Sequence, residues 1–365
     1  MKMKLLETIE KHYSTVIVGA GPAGSTLARR LSQSTSDILL IDASAFLGEK
    51  VCGGLISPDA QDLLAEYGIA LPRDILSSPQ IFSVRTLDLS CKKTRNYRRN
   101  YINVDRAGFD AFLLSLVPDS VNVISAVCIS VKRINGGFSL ILKTHQGEKE
   151  LTCNTLIGAD GASSTVRRNL FPKQKITRYV AIQQSFHAKN EHPYYSCIFD
   201  SDTSPSCSWI FFKDGRLVFG GAFESKNSRA AFESQKEKLV MRGIIPEDMF
   251  KEALDTRACT VLRPGLFGGI YLGKSGAFLI GEAAGFISPS SLEGISFALA
   301  SAEALYRALE SSKNTRATLC TYKRKSAKLR LKIALKCFKR PFMYMPLLRK
   351  MILSSGVGSI KTKEV

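Results

Sequence analysis

The spacing Gly19-x-Gly21-x-x-Gly24 narrows what this chain can fold into more than any other feature. It lies between a short apolar run, Thr15 to Val18, and a helix-like run through Leu27, Ala28 and Leu31. In a strand–turn–helix unit the first glycine turns the chain with positive φ. The second lets backbone approach a pyrophosphate, and the third lets helix and strand pack closely. Phosphates then rest on the free N–H groups of the helix start. Asp42, 18 residues after Gly24, closes the next apolar run, Ile38 to Ile41, where a carboxylate can accept hydrogen bonds from ribose hydroxyls. Strand, helix and acid in register point to a site for an adenine dinucleotide.

At 365 residues with 45% apolar content, the chain can fill two domains or one elaborated domain. No window reaches the roughly 18 uninterrupted apolar residues of a membrane span, and no signal-peptide pattern opens the chain. The expected location is the cytoplasm, with peripheral contact at the inner face of the membrane as an extension. Nine cysteines without a Cys-x-x-Cys pair, and only four histidines, argue against a metal site or a disulfide framework.

A formal charge of +19 calls for a partner or a location. From Ser311 to Lys363 there is no acidic residue. On a helical wheel Lys325, Lys328, Lys332, Lys336 and Lys339 share one side, and Ala327, Leu331, Ala334, Leu335 and Phe338 form the adjacent stripe. This predicts a basic amphipathic helix that ends or kinks at Pro341, followed by an apolar segment, Phe342 to Leu348. Two readings stay open: the stripe packs on the body of the protein, or it meets an anionic membrane surface. No recognised nucleic-acid motif accompanies the charge, so nucleic acid is not an expected partner.

Along the chain, a Gly, Cys and Pro loop (Gly48 to Pro58) leads into a helix over Ala60 to Tyr67, and a second helix follows Asp105. Alternating segments from about Val121 to Cys153, punctuated by Asn135-Gly136-Gly137 and Gln146-Gly147, predict an antiparallel meander. A separate buried strand, Thr155 to Gly158, should follow it. Tyr179 to Phe223 is β-rich and dense in aromatics. A last strand, Ala277 to Ile280, precedes a long helix through Ile295, Ala298 and Leu305.

Two further motifs follow apolar strands. The first is Gly158-Ala159-Asp160-Gly161-Ala162-Ser163-Ser164, followed by Val166 and Arg167. The second is Gly281-Glu282-Ala283-Ala284-Gly285, continuing to Glu293-Gly294-Ile295. Both set a carboxylate and small residues where backbone N–H groups can meet phosphate and ribitol oxygens. Together with the glycine motif, they resemble the FAD-dependent family with the p-hydroxybenzoate hydroxylase fold. Within it they resemble the geranylgeranyl reductase family, the similarity to its CbrA-like oxidoreductases being close over nearly the whole chain.

The resemblance implies an α/β fold: a Rossmann-like FAD-binding domain with an inserted antiparallel β-sheet substrate domain and a C-terminal helical segment. The expected division is 1–75, 101–170 and 261–315 for the FAD-binding domain, 76–100 and 171–260 for the substrate domain, and 316–365 for the basic helical region. It further implies that Gly19, Gly21, Gly24 and Asp42 hold the ADP half. Asp160 and Gly161 would lie on the nucleotide side, Gly281, Glu282, Gly294 and Ile295 at the pyrophosphate and flavin, and Arg106 on the phosphates. Glu282 departs from the usual Asp, and its extra methylene must be accommodated near the ribitol.

Cys52-Gly53-Gly54 matches the reductases' Cys-Gly-Gly-type loop, which lies against the isoalloxazine, and Cys52 is a candidate for orienting substrate or relaying a proton. Cys207-Ser208-Trp209-Ile210-Phe211-Phe212-Lys213 resembles the family's Tyr-x-Trp-x-Phe-Pro-Lys signature, keeping Trp209, Phe211 and Lys213 as candidate substrate residues. The activity this implies is reduction of carbon–carbon double bonds in an isoprenoid or polyprenyl lipid, by hydride from flavin N5. NAD(P)H, ferredoxin and reduced flavin all remain compatible as electron donor. Related hydroxylases tend to carry His and paired prolines after the third motif. This chain has Gly285-Phe286 and Ser290-Ser291, which favours reduction over a flavin monooxygenase. A non-catalytic FAD-binding protein at a membrane surface is the reading from another class.

Overall fold

The computed structural model describes residues 8–35, 37–47, 50–188, 192–266, 268–312 and 314–361. Gly48, at the head of the expected loop, and Lys363, at the end of the basic stretch, lie outside the described residues. The chain divides into two compact units. One comprises Met1–Glu49, Ala107–Thr177 and Leu262–Leu335; the other comprises Lys50–Arg106, Arg178–Val261 and Lys336–Val365.

The first unit is built on a sheet whose parallel strands run in the order Ala277–Leu279, Gly147–Gly158, His12–Val18, Ile38–Asp42 and Asn122–Ser125. Strand His12–Val18 lies between two neighbours, and Val16, Ile17, Leu39, Leu40, Leu156 and Ile157 are all buried, as a sheet covered on both faces requires. Helix Pro22–Leu31 starts with Gly21 as its N-cap and proline at its first position, and it buries Leu27, Ala28 and Leu31. Helix Ile295–Glu310 buries Phe297, Leu299, Ala302 and Leu305.

Two sequence expectations change here. Asn122–Ser125 is not part of the meander but the parallel partner of Ile38–Asp42, with Leu39 opposite Asn122 and Ile41 opposite Ile124. The meander consists of Val127–Ile134, Gly137–Thr144 and Gly147–Gly158. Its last strand does not stop at Cys153: no glycine or proline interrupts 148–157, so one 12-residue strand continues from the hairpin into the parallel sheet.

The second unit is a large, mainly antiparallel sheet. Its strands run in the order Ala253–Arg263, Thr177–His187, Arg216–Phe223, Ser208–Lys213, Tyr194–Phe199, Ile81–Asp88, Lys93–Asn103 and Ser359–Ile360. Tyr194–Phe199 and Ile81–Asp88 pair in parallel. Helix Ser228–Met241 covers one face, burying Phe232 and Leu239 in a cluster with Phe186, Phe212, Phe219 and Phe223. Much of the aromatic density of 179–223 is therefore core.

The domain boundaries also need correction. Residues 50–75 belong with the sheet-bearing second unit, because Leu55 and Ile56 pair with Asn103 and Ile102. The basic region is not a unit of its own but divides between the two. Its helices are Thr315–Lys325, Ala327–Tyr344 and Pro346–Ser355. Pro341 lies inside the second of these rather than ending it. The break falls at Met345, whose ψ of 120° is the extended conformation that a following proline imposes. Of the expected apolar stripe, Leu331, Leu335 and Phe338 are each 60% exposed, and Ile333 is the residue of this helix that is buried. Those three residues therefore do not pack on the body of the protein.

Candidate functional site

In the first unit, the four strands that carry the motifs are adjacent and parallel, so Gly19, Asp42, Ala159 and Gly281 all follow or close their C-terminal ends. This edge is where open α/β sheets bind ligands. Gly19 has φ +104°, and a methyl group there would meet the Ala159 carbonyl oxygen at 2.6 Å. A methyl group on Gly24 would stand 1.8 Å from the Gly19 oxygen, which makes Gly24 the closest backbone approach of the motif. At Gly21 the same test meets no atom within 4 Å. The middle glycine thus borders open space at the start of a helix, a cradle that fits a pyrophosphate. Asp42 ends its strand buried, its two carboxylate oxygens accepting from the Ser44 N–H at 3.0 Å and the Ser44 hydroxyl at 2.7 Å. Those bonds fix its orientation at the strand end.

The carboxylates of the second and third motifs each accept hydrogen bonds from main-chain N–H groups. Asp160 Oδ2 accepts from the N–H groups of Thr165 and Val166 at 2.6 and 3.2 Å, holding the start of helix Thr165–Leu170. Burial raises its pKa, with hydrogen bonds from Ser164 and the following backbone opposing the shift. Asp160 Oδ1 is buried without a partner. Gly161, at φ +68°, again opens onto empty space. Glu282 Oε1 accepts from Leu262 N–H at 2.8 Å and the side chain is buried, so its longer stem turns this carboxylate back onto the chain. Gly281 takes φ +56°, and its N–H donates to Ser301 Oγ at 2.9 Å. Gly294 caps helix Ile295–Glu310, whose first turn is tied by Glu293: its carboxylate accepts from the N–H and the hydroxyl of Ser296 at 2.9 and 2.8 Å.

Arg167 escaped the sequence reading as a site residue. It is buried, and it donates to the carbonyls of Glu282 and Ala283 at 3.3 and 2.6 Å and to that of Ala162 at 2.5 Å, bracing the second motif against the third. A buried arginine that donates to main-chain carbonyls carries no periodic or motif signal in the sequence to announce it.

In the second unit, Cys52-Gly53-Gly54 lies beside Val104, with Val104 N–H donating to Gly54 O at 2.9 Å and Gly54 N–H to Cys52 Sγ at 3.5 Å. Gly54 has φ +68°, and a methyl group there would meet Val104 O at 2.2 Å and Lys213 Nζ at 2.6 Å. Lys213 Nζ donates to the carbonyls of Gly53 and Val104, both at 2.7 Å. Burial lowers the Lys213 pKa to about 8, against the pull of Cys52, Asp105 and Asp214 and with the help of Arg106. Phe211 is buried with its ring 3.1 Å from where a Gly53 methyl group would stand. Trp209 covers Gly220 on the next strand and donates from Nε1 to Gln183 Oε1 at 3.2 Å. Trp209, Phe211 and Lys213 alternate along the one strand Ser208–Lys213; Lys213 and Phe211 act on the glycine loop itself, while Trp209, near the start of that strand, packs on Gly220. Arg106 opens helix Arg106–Ser115. Among the described residues, no helix is long and apolar enough to cross a membrane.

Comparison with known proteins agrees with this geometry. The NAD(P)-binding Rossmann-like domain family matches residues 17–79. A geranylgeranyl bacteriochlorophyll reductase-like protein of Thermoplasma acidophilum has a similar structure, with TM-score 0.76 at 20% identity over 94% of this chain and 91% of that one. So does PqsL of Pseudomonas aeruginosa, described as a probable FAD-dependent monooxygenase, with TM-score 0.69 at 15% identity over 94% and 99%. The fold is that of these p-hydroxybenzoate hydroxylase-type flavoproteins. In sequence, protein CbrA of Escherichia coli O9:H4 is 43% identical over 96% of this chain and 95% of its own length. The chain therefore belongs to the CbrA family.

Proposed function

We propose that the protein is an FAD-dependent oxidoreductase that reduces carbon–carbon double bonds of an isoprenoid or polyprenyl lipid. One observation carries the reading: Lys213, last residue of the Trp-x-Phe-x-Lys signature, donates to the carbonyl of Gly53 at 2.7 Å. Two sequence signatures 160 residues apart, both shared in pattern with geranylgeranyl reductases, are thereby one physical device.

FAD fits the residues present. Gly21 and Gly161 leave room for phosphate and ribitol, and Asp42 is fixed at the strand end for ribose. When bound, the flavin supplies a hydride to one carbon of the double bond. The chain's part is to position and to protonate. Lys213 fixes the Gly53-Gly54 loop through the carbonyls of Gly53 and Val104, and Phe211 packs against Gly53. The half-buried Cys52 carries the thiol placed on that loop, and in this reading it hands its proton to the second carbon and regains one from solvent.

Stopped-flow absorbance tests the reading. The anaerobically reduced protein is mixed separately with polyprenyl lipids and with oxygen, and the flavin band is followed. Reoxidation by lipid faster than by oxygen supports it. Faster reoxidation by oxygen, with lipids inert, moves the reading to a monooxygenase, which the likeness to PqsL keeps in view.

A further inference from the structure

In the second unit, helix Pro346–Ser355 is held from one side only. Arg349 is buried and pairs with the buried Asp88 at 2.5 Å, with its guanidinium 4.8 Å over the Phe199 ring. Leu353, one turn later, is buried beside it, and Tyr344 packs its ring 5.5 Å from Phe199. The remaining faces look outward. On the preceding helix, Ala327–Tyr344, Phe338 and Phe342 are 60 and 51% exposed, and Met345 at the break is 53% exposed; on helix Pro346–Ser355, Leu347 and Met351, spaced by four, are 70 and 63% exposed. Lys339 and Lys350 are exposed among them. The stretch 311–363 holds fifteen lysines and arginines and no acid.

We propose that this face docks on an anionic lipid bilayer, with Phe338, Phe342, Met345, Leu347 and Met351 entering the interface and Lys339 and Lys350 at the headgroups. Large apolar side chains on consecutive helical turns, flanked by cations, suit a helix that lies in the headgroup region. Anionic lipid supplies the countercharge that the stretch lacks. A second copy of the chain does not, since a pairing of this face with itself would oppose like charges. Nucleic acid would answer the lysines but leave the phenylalanine, leucine and methionine side chains without a reason to be exposed. The buried Arg349–Asp88 pair gives the face a fixed footing, so docking does not depend on a segment folding at the membrane. The surface is independent of the reaction proposed above, and its failure would leave that reading standing.

The test is co-sedimentation of the full-length, FAD-loaded protein with vesicles of phosphatidylcholine alone or mixed with phosphatidylglycerol, across a salt series. The protein should sediment with the anionic vesicles, less at high salt. Two double variants, Phe342→Asp with Leu347→Asp and Lys339→Glu with Lys350→Glu, should each lower partitioning by roughly tenfold or more. Both alter exposed positions, so melting temperature and flavin absorbance should stay unchanged and serve as folding controls. Sedimentation that is equal for the parent and both variants overturns the proposal, as does equal binding to neutral vesicles. A dimer by light scattering that either variant converts to monomer would assign the face to a second copy instead. A duplex oligonucleotide that binds while vesicles do not would assign it to nucleic acid.

Discussion

A methyl group at Gly21 would touch nothing in the protein, while one at Gly24 would stand 1.8 Å from the Gly19 carbonyl oxygen. The two substitutions therefore separate folding from ligand binding. Gly21→Ala should keep the melting temperature of the FAD-free protein and weaken FAD by at least about tenfold, because the added carbon occupies the ligand's space. Gly24→Ala should lower stability outright, by several kcal/mol, before any ligand is considered. Thermal unfolding with and without FAD distinguishes them, and equal behaviour would mean that Gly21 does not face the ligand. Lys213 offers a second test. Its pKa of about 8 lies below the 10.5 of a solvated lysine, so the unfolded chain holds more protons between those values. Stability should therefore rise with pH across that window in the parent, relative to Lys213→Met, in urea titrations at several pH values. The same variant releases the carbonyls of Gly53 and Val104, and should lower turnover in the lipid assay even where folding is intact.

Elements show what patterning can and cannot convey. The Gly19-Gly21-Gly24 turn and its helix were legible because each glycine answers a local backbone demand. The destinations of Asp160 and Glu282 were not: the same Asp-Gly or Gly-Glu string serves a ligand or a neighbouring N–H, and only the fold decides. The stripe through Leu331, Leu335 and Phe338 was legible as a stripe, but a 3.6-residue period does not say what covers it. Helix Pro346–Ser355 adds a clear expectation. Burial pushes Asp88 up in pKa, yet hydrogen bonds from Arg349 and Cys91 and the guanidinium charge outweigh it and hold the carboxyl below its usual range. Arg349→Met leaves that buried carboxylate without its cation and should cost about 3 to 5 kcal/mol. Adding Asp88→Asn to it should recover part of the loss in a double-mutant cycle, and full additivity would mean the pair does not act as a pair.

For the whole molecule, the candidate nucleotide site is spread over three segments that are distant in sequence, 19–42, 158–167 and 281–295. A ligand that bridges them binds the folded chain alone, so FAD at a hundred times its dissociation constant should add about 2.7 kcal/mol and raise the melting temperature accordingly. A melting curve insensitive to FAD would contradict the assembly of these segments into a single site. The cationic end of the chain predicts a different global trait, retention on cation exchangers that falls when 321–365 is removed.

Strand Gly147–Gly158 has one further consequence. It pairs with the meander along Gly147–Cys153 and with the parallel sheet along Thr152–Gly158, so a single backbone sets the register of both. It works as a ruler: one residue inserted between Cys153 and Asn154 would swap the faces of every side chain on one side of the insertion. Errors made out in the hairpins would be read at Asp160, two residues past the strand's end.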